Sequence, residues 1–513
     1  MMATLKLSKA FSRLATIAVA TLMLGTSAWA DGKKGGILTI ATVGEPPTLD
    51  QMQSPTDIVG MISQHVFETL YTFDDKWQPQ PLLARAQPSI SADGLTYTIP
   101  LRAGVTFHDG SAMTPADVVA SLNRWLKINS KGKQVAEVVE SMAVSGNDAV
   151  VIKLKSRYSP LVATLSQSSI IMPARVIADT LTEFVGTGPY KLKERRPDQF
   201  IQLVRFDAYK SPEGAPSNYA GKREALADEL RFVPVPDANT RVEGLLGGQY
   251  DFADSLPFSA YDRIAASSVA QPVVMQSSGW ASLNFNMKDG LLTNKDLRNA
   301  VQAALNPSDM MMAAFANDRF YKVDGPYYPE GFVWHTTAGV ARYGEGDAEA
   351  AGALMKKAGY TGTPIRLLTS RQYEFHYKMA EVAKVYLEAA GFKVDLQVTD
   401  WATLTTRRAD PKQWDIFITH SNFPGDPTML NTISDTYPGW YATPAKTAAV
   451  SGYLAAVTPD EKLAGWSKLQ TLLFDEAPLF KVGNFNSLSG VAKGVGGYGP
   501  HYWPTFWNVE ARH

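Results

Sequence analysis

The chain has 513 residues, 45% of them hydrophobic, with 49 Lys and Arg against 50 Asp and Glu, seven His and no cysteine. The missing cysteine excludes disulfides, thiolate catalysis, cysteine-ligated metal and a lipidated cysteine anchor, and the formal charge of -1 is not the strongly basic balance that nucleic-acid binding uses. At about 150 residues per domain, this length predicts two to four domains.

Residues 1–30 read as a cleavable secretory signal. Lys6, Lys9 and Arg13 form the positive start, residues 14–24 an apolar run and Ala28-Trp29-Ala30 a small-x-small cleavage site before Asp31. The run of 11 residues is far short of the roughly 20 needed to cross a bilayer. Removing three of the 49 basic residues leaves 46 against 50 acidic, a net charge near -4. The expected product is exported, soluble and free of a lipid anchor, and a periplasm fits it best.

The mature chain starts with a strand at 37–41, broken by the loop Val43-Gly44-Glu45-Pro46-Pro47, where the prolines forbid continuation. Residues 66–180 differ in character. Leu95, Tyr97, Ile99 and Leu101 alternate as one face of a strand, Thr114-Pro115-Ala116-Asp117 opens a capped helix to about Lys127, and 149–154 is another short strand. Then come a strand at 230–233, a helix at 238–246 stopped by Gly247-Gly248, and a short strand that ends at Asp254-Ser255-Leu256. Residues 271–287 form a long extended crossing, followed by a helix at 296–305. A second strand-helix-strand unit covers 365–368, 373–390 and 394–398, with a further strand at 415–419. The helix at 461–474 leads to a return crossing through Ala477-Pro478-Leu479-Phe480. There is no tandem repeat, and the turn at 494–499 lacks the strand-turn-helix context of a phosphate cradle.

Right-handed crossover makes the strands at 365 and 394 parallel neighbours. Ligands of open α/β sheets sit beyond the carboxyl ends of the strands, here Ser370-Arg371, Asp400-Trp401 and His420-Ser421-Asn422. The division this predicts is lobe I over 31–65, 181–272 and 480–513, an additional α+β domain over 66–180, and lobe II over 273–479. The two crossings between lobes would make the hinge.

The chain resembles the extracytoplasmic solute-binding proteins, family 5, of peptide and nickel ABC importers. The resemblance spans essentially the whole mature chain. Its marks are Gly35-Gly36, Glu45-Pro46-Pro47-Thr48-Leu49-Asp50, Phe107-His108-Asp109-Gly110 with Thr114-Pro115-Ala116-Asp117-Val118-Val119, and Gly186-Thr187-Gly188-Pro189-Tyr190. Further on stand Leu283-Asn284-Phe285-Asn286, Leu297-Arg298-Asn299-Ala300 with Ala304-Leu305-Asn306, and Gly425-Asp426-Pro427. It implies an α/β, type II periplasmic-binding-protein fold with two hinged α/β lobes and an additional smaller α+β domain. It also implies capture of a small-molecule or peptide ligand between the lobes and delivery to the membrane subunits of an ABC permease. In peptide binders of the family an Arg-x-Tyr element holds a ligand carboxylate, and Arg371-Gln372-Tyr373 looks like it. A planar guanidinium suits this role because it grips a carboxylate through two parallel hydrogen bonds. Where those binders place an acid for the ligand's free amine, this chain has Phe423, so Asp426 or Glu45 would have to substitute.

The expected ligand-binding set is therefore Arg371, Tyr373, Trp401, Asn422, Phe423, Asp426, Glu45, Trp280 and Asn284. Each has a structural alternative. Arg371 could cap a turn, Tyr373 and Trp401 could be core, Trp280 and Asn284 could only stabilise the crossing, and Asp426 could only fix its turn. His108 reads as turn chemistry, while His376 and His420 could meet near the cleft as a thin metal site. No G-x-S-x-G, phosphate-loop or zinc-protease motif occurs. The expectation is a monomeric receptor without catalytic residues, metal or cofactor. The rivals are a carrier of nickel or another metal complex, and an exported hydrolase.

Overall fold

A computed structural model describes residues 33–512 apart from 55, 345 and 372; the expected signal over 1–30 lies outside the described residues. Eleven strands share one sheet. In chain order they are β1 (Ile37–Thr42), β2 (Tyr190–Arg196), β3 (Phe200–Arg205), β4 (Glu229–Pro234), β5 (Phe252–Ala253), β6 (Ala270–Phe285), β7 (Tyr321–Lys322), β8 (Ile365–Ser370), β9 (Val394–Thr399), β10 (Ile416–Ser421) and β11 (Leu479–Ala492). Their lateral order is β9-β8-β10-β6-β11-β5-β1-β4-β3-β2, with β7 paired to β11 off this path.

Two parallel units form the halves of this sheet. In lobe I, β1 lies between β4 and β5, parallel to both. The connecting helix α3 (Ala238–Leu246) starts where Asp237 accepts from the Thr240 N–H at 2.7 Å. Helix α4 (Lys295–Ala304) follows β6, and in lobe II β8 lies between β9 and β10, again parallel to both, with α5 (Glu374–Ala389) crossing from β8 to β9. These are the strand-helix-strand units expected from the apolar runs and helix stops.

The same clasp closes each unit. Asp251, just before β5, donates its N–H to the Thr39 carbonyl at 2.8 Å and accepts the Thr39 N–H on Oδ2 at 2.7 Å. Asp415, just before β10, donates to the Arg366 carbonyl at 3.0 Å and accepts the Arg366 N–H on Oδ2 at 2.9 Å. Each carboxylate also holds a guanidinium, Arg512 in lobe I and Arg366 in lobe II.

The two crossings expected to approach one another are β6 and β11, which pair antiparallel from Ala270–Ala492 to Asn284–Leu479. The second crossing is a strand of 14 residues, longer than the sequence suggests. Gly483, Asn484, Asn486, Ser487, Ser489 and Gly490 give it little intrinsic strand preference, so its extension comes from pairing with β6. The ladder slips between Met275 and Gly279, where Ser277 takes a φ of +52° and donates its N–H to Asn486 Oδ1 at 2.9 Å. On one side of this bulge β11 pairs with β5 of lobe I; on the other β6 pairs with β10 of lobe II.

The additional domain carries a four-stranded antiparallel sheet, with Thr96–Pro100 and Ala149–Leu154 as its central pair. Tyr97, Ile99 and Leu101 point to the core, as their alternation predicts. Helix α2 (Pro115–Ile128) covers it, entered through a capping box in which Thr114 and Asp117 bond reciprocally. Arg124 of α2 grips Asp50 through both carboxylate oxygens at 2.5 and 3.2 Å, with both side chains buried. That pair ties the domain to the chain just after β1.

Candidate functional site

The carboxyl ends of β8, β9 and β10 hold an aromatic wall. Tyr373 caps α5 at its start, and Trp401 opens the helix Trp401–Arg407, whose cap Asp400 accepts from the Thr403 N–H at 2.8 Å. The Tyr373 ring stands edge-on to Trp401 and to His420, both at 4.9 Å between centroids. His376, on the first turn of α5, shares a hydrogen bond with His420, Nε2 to Nδ1 at 3.0 Å, and Phe375 packs on it at 4.3 Å. Burial holds the His376 ring well below its ordinary pKa, helped by the neighbouring His420. Burial also lowers His420, to about 4, against the opposing pull of Asp57. Both imidazoles are thus neutral at pH 7 and act as further rings of the wall.

The facing surface belongs to lobe I and is acidic. Asp57 begins α1 (Asp57–Ser63) and is exposed. Its Oδ1 accepts from the Tyr502 hydroxyl and from the Trp503 indole N–H, each at 3.0 Å. Its charge acts across the gap on Tyr373 and His420, and the Tyr502 hydroxyl is hydrogen-bonded by Asn422 of lobe II. Asp254, just past β5, is raised by burial, with Ser255 and the Arg241 charge opposing and Asp57 adding to the rise. The carboxyl ends of both parallel units therefore face one cleft.

Of the expected ligand residues, Tyr373, Trp401 and Asn422 come together at this cleft. Arg371 is beside them and exposed, but its guanidinium lies 4.2 Å over the Tyr377 ring and donates to the Tyr377 hydroxyl at 2.9 Å. Trp280 is buried, and its indole N–H donates to the Asn422 carbonyl at 3.2 Å, fixing that backbone. The other four sit in structural settings. Phe423 packs among Phe332 and Tyr328. Asp426 accepts from the Thr428 N–H at 2.9 Å and the Tyr453 hydroxyl at 2.7 Å. Glu45 accepts from Arg195 at 2.8 Å and from the Asp198 N–H at 2.6 Å, which pins it to the β2–β3 hairpin. Asn284 is buried and donates to Ser282 Oγ at 3.0 Å. Neither acid proposed as a stand-in for Phe423 has both oxygens open to a ligand.

Sequence reasoning missed Asp57, Asp254, Tyr502 and Trp503. Asp57 reads as an ordinary acid at a helix start, and Tyr502 and Trp503 lie in a C-terminal loop whose density of aromatic residues was the available signal. His108, which reads as turn chemistry, bonds the backbone of Gly186 and Gly188. A cavity of about 50 Å³ behind Tyr502 and Trp503 reaches Trp77 and Arg223, well below the roughly 300 Å³ of a solute pocket. A cavity of about 750 Å³ near Arg85, Arg102 and Lys210 touches none of the expected site residues. Among the described residues no group of three or more His, Asp or Glu is placed to hold a metal, and no helix is long and apolar enough to cross a membrane.

The family model of bacterial extracellular solute-binding proteins, family 5 Middle, matches residues 78–440. A curated relative in Sinorhizobium fredii, named as a probable peptide ABC transporter periplasmic-binding protein y4tO, is 25% identical over 473 residues, covering 87% of this chain and 88% of its own. Among solved structures, the ABC transporter substrate-binding protein CtaP of Listeria monocytogenes superposes with a TM-score of 0.82 at 20% identity, over 94% of this chain and 100% of its own. The PBP AgaA from A.tumefacien R10, in complex with agropinic acid, superposes with a TM-score of 0.75 at 25% identity, over 93% of this chain and 99% of its own.

Proposed function

The chain belongs to the bacterial extracellular solute-binding proteins, family 5, and from that premise we propose that it captures a small polar or peptide-like solute between its lobes and delivers it unchanged to the permease of an ABC importer. The observation that carries this reading is the facing of two sets of parallel-strand ends, with Tyr373, Trp401, His420 and Asn422 on one side and Asp57 and Tyr502 on the other. A solute that touches both sides at once stabilises the closed arrangement over the open one, which is how binding becomes a signal to the permease.

In this reading Tyr373 and Trp401 wall the solute, Asn422 offers it hydrogen bonds, and Arg371 leaves the Tyr377 ring to meet an anionic group. The pivot is the β6–β11 bulge at Ser277. Lobe I is built from 31–65, 181–272 and 480–513, lobe II from 273–479, and 66–180 is the additional domain. The protein is a monomer, exported by its leader, and carries out no chemistry on its cargo. The name of y4tO supports a peptide as cargo, and the agropinic acid held by AgaA supports a small organic acid; a polar cleft walled by rings suits both.

Calorimetry against peptide, opine, sugar and nickel-chelate panels tests this, with small-angle scattering of the same mixtures. The expected result is saturable binding of one class, recovery of that solute unaltered, and a smaller envelope when it is bound. Steady formation of product from excess solute overturns the receptor reading in favour of a hydrolase.

A further inference from the structure

The Gly425-Asp426-Pro427 turn stands out in the sequence, yet it is not part of the ring wall. Its neighbour is the additional domain. Gly425 is buried, and a Cβ there would overlap the Phe73 ring, whose atoms are the nearest ones to that position. Phe73 ends the first strand of the hairpin formed by Tyr71–Phe73 and Pro79–Pro81. At the tip of this hairpin the Lys76 carbonyl accepts the Val333 N–H at 3.2 Å, and the Trp77 ring stacks on Phe332, 6.0 Å between centroids and 10° from parallel. A second contact reaches Tyr453, whose hydroxyl donates to Asp426 at 2.7 Å. Ser159 donates its N–H to the Leu454 carbonyl at 3.2 Å and its hydroxyl to the Tyr453 carbonyl at 3.1 Å, and its own carbonyl accepts from Lys462 at 2.9 Å. Arg157 donates to the Ala455 carbonyl at 3.4 Å. Asp426 is buried, and its charge acts on Lys131 of the additional domain as well as on Lys462 of lobe II.

The additional domain is anchored to lobe I. The buried pair of Arg124 and Asp50 fixes it there, the Phe73 carbonyl accepts the Tyr219 N–H at 3.0 Å, and the Thr187 hydroxyl donates to the buried Glu68 at 2.8 Å. Its contacts with Phe332, Val333, Gly425, Tyr453 and Lys462 therefore join the two halves of the molecule, and opening about the β6–β11 bulge breaks them. The hydrogen bonds across this contact all end on backbone carbonyls, which water satisfies once the surfaces part. We propose that the additional domain is a latch: its Phe73–Trp77 hairpin and its Arg157–Ser159 loop dock on the Gly425-Asp426-Pro427 turn and the Tyr453–Lys462 corner of lobe II, and hold the lobes closed through contacts that do not involve the solute. Gly425 is then a glycine because the Phe73 ring needs its place. The use of such a latch rests on the receptor reading: the closed state is stabilised by solute and latch together, so the apparent affinity for any solute rises with the fraction of molecules that the latch holds ready.

The latch is tested without solute, on the full mature protein stripped under denaturant and refolded, with Lys76→Cys and Val333→Cys introduced. The chain has no cysteine of its own, so a single disulfide reports how often these two sites meet, and its rate of formation in oxidised glutathione is followed by mass spectrometry. Gly425→Ala, Lys462→Met, and Gly425→Ala combined with Phe73→Ala are then placed in this background, each with a thermal melt to verify folding. The expected outcome is a disulfide that forms about threefold more slowly, or slower still, in Gly425→Ala and in Lys462→Met. Adding Phe73→Ala to Gly425→Ala should recover about half of that loss, since the two residues are coupled by contact. Rescue by a residue of another domain distinguishes a latch from a local need for glycine in lobe II, and Lys462→Met carries the test alone if Gly425→Ala does not fold. By small-angle scattering the disulfide-locked protein should be more compact than Gly425→Ala. Equal rates in Gly425→Ala and Lys462→Met overturn the latch, as does absence of rescue or an equal envelope, and the receptor reading survives any of these if calorimetry finds saturable binding. Calorimetry that finds no solute, with the disulfide rates changed as expected, overturns the receptor reading and leaves the latch standing.

Discussion

In lobe I the residues around the clasp are Gln249-Tyr250-Asp251-Phe252, and in lobe II they are Gln413-Trp414-Asp415-Ile416. Both aspartates exchange a pair of hydrogen bonds with the first strand of their unit, and both hold an arginine at the same time. Past the strand ends the likeness stops. Lobe I presents Asp57 and Asp254, while lobe II presents Tyr373, Trp401 and the neutral pair His376 and His420. The clasp secures strands that any cargo requires, and the loops beyond it are free to take whatever chemistry the cargo demands.

The sharpest test of that likeness is to open each clasp. Alanine at Asp415 leaves the Arg366 N–H without its acceptor and its guanidinium with only the Lys412 and Trp414 carbonyls, and alanine at Asp251 leaves the Thr39 N–H without its acceptor and Arg512 with only the Gly248 carbonyl. Arg366 and Arg512 are 30% and 33% exposed, so solvent screens part of the loss, and each variant should unfold in urea with about 2 to 4 kcal/mol less stability. Asparagine at either position restores one acceptor and should halve the cost. If one alanine variant proves as stable as the wild type, the two clasps are not equivalent.

Acid should strain both lobes, through different histidines. In lobe I, His65 accepts the Phe506 N–H on Nε2 at 2.9 Å, and burial lowers its pKa to about 3; in lobe II, burial lowers His420 to about 4. A pKa below the ordinary 6.5 means that the folded state binds fewer protons than the unfolded chain. Stability is therefore fully present above about pH 6.5 and is lost as pH falls toward the folded values, by on the order of 3 to 5 kcal/mol per ring. Denaturation midpoints between pH 7 and pH 4 measure this, and His420→Gln should flatten the curve. An unchanged curve would mean that His420 does not bear the acid sensitivity of the lobe II wall.

A smaller effect is expected at the wall itself. Tyr373→Ala removes the ring that touches both Trp401 and His420, and should weaken solute binding by about 1.5 kcal/mol, roughly tenfold. Unaltered affinity would assign those rings to the core of lobe II alone.

The sequence made the scaffold legible where local chemistry marks both ends of an element. Asp237 and Gly247 bracket α3 at its observed bounds, and Thr114 with Asp117 announces α2. The strand ends at Arg371, Trp401 and Asn422 were also readable, because a parallel sheet fixes where its ligands go. What could not be read was anything assembled at long range. Asp57 and Tyr502 are 445 residues apart in the chain, and neither stands out among its neighbours. Arg371 marks the opposite difficulty: its place past β8 is visible in the sequence, but its preference for the Tyr377 ring depends on how α5 leaves the strand. The far half of β11 is extended because β6 and β5 lie beside it.

That pairing supplies the last and smallest test, since the bulge at Ser277 is one of two places where the ladder joining the two lobes slips, the other lying between Ala281 and Ser282. A serine at a φ of +52° pays about 1 kcal/mol relative to glycine, which visits that region freely. Ser277→Gly relieves the strain and keeps the backbone N–H that Asn486 accepts, but glycine also gives the unfolded chain more freedom. The net gain should be about 0.5 kcal/mol in urea unfolding. If the lobes turn about this bulge, the same change makes the backbone easier to rotate, so solute should associate with different kinetics while the clasps at Asp251 and Asp415 keep each lobe intact. If stability and association kinetics both stay at wild-type values, the bulge stores no strain, and the pivot lies elsewhere along β6 and β11.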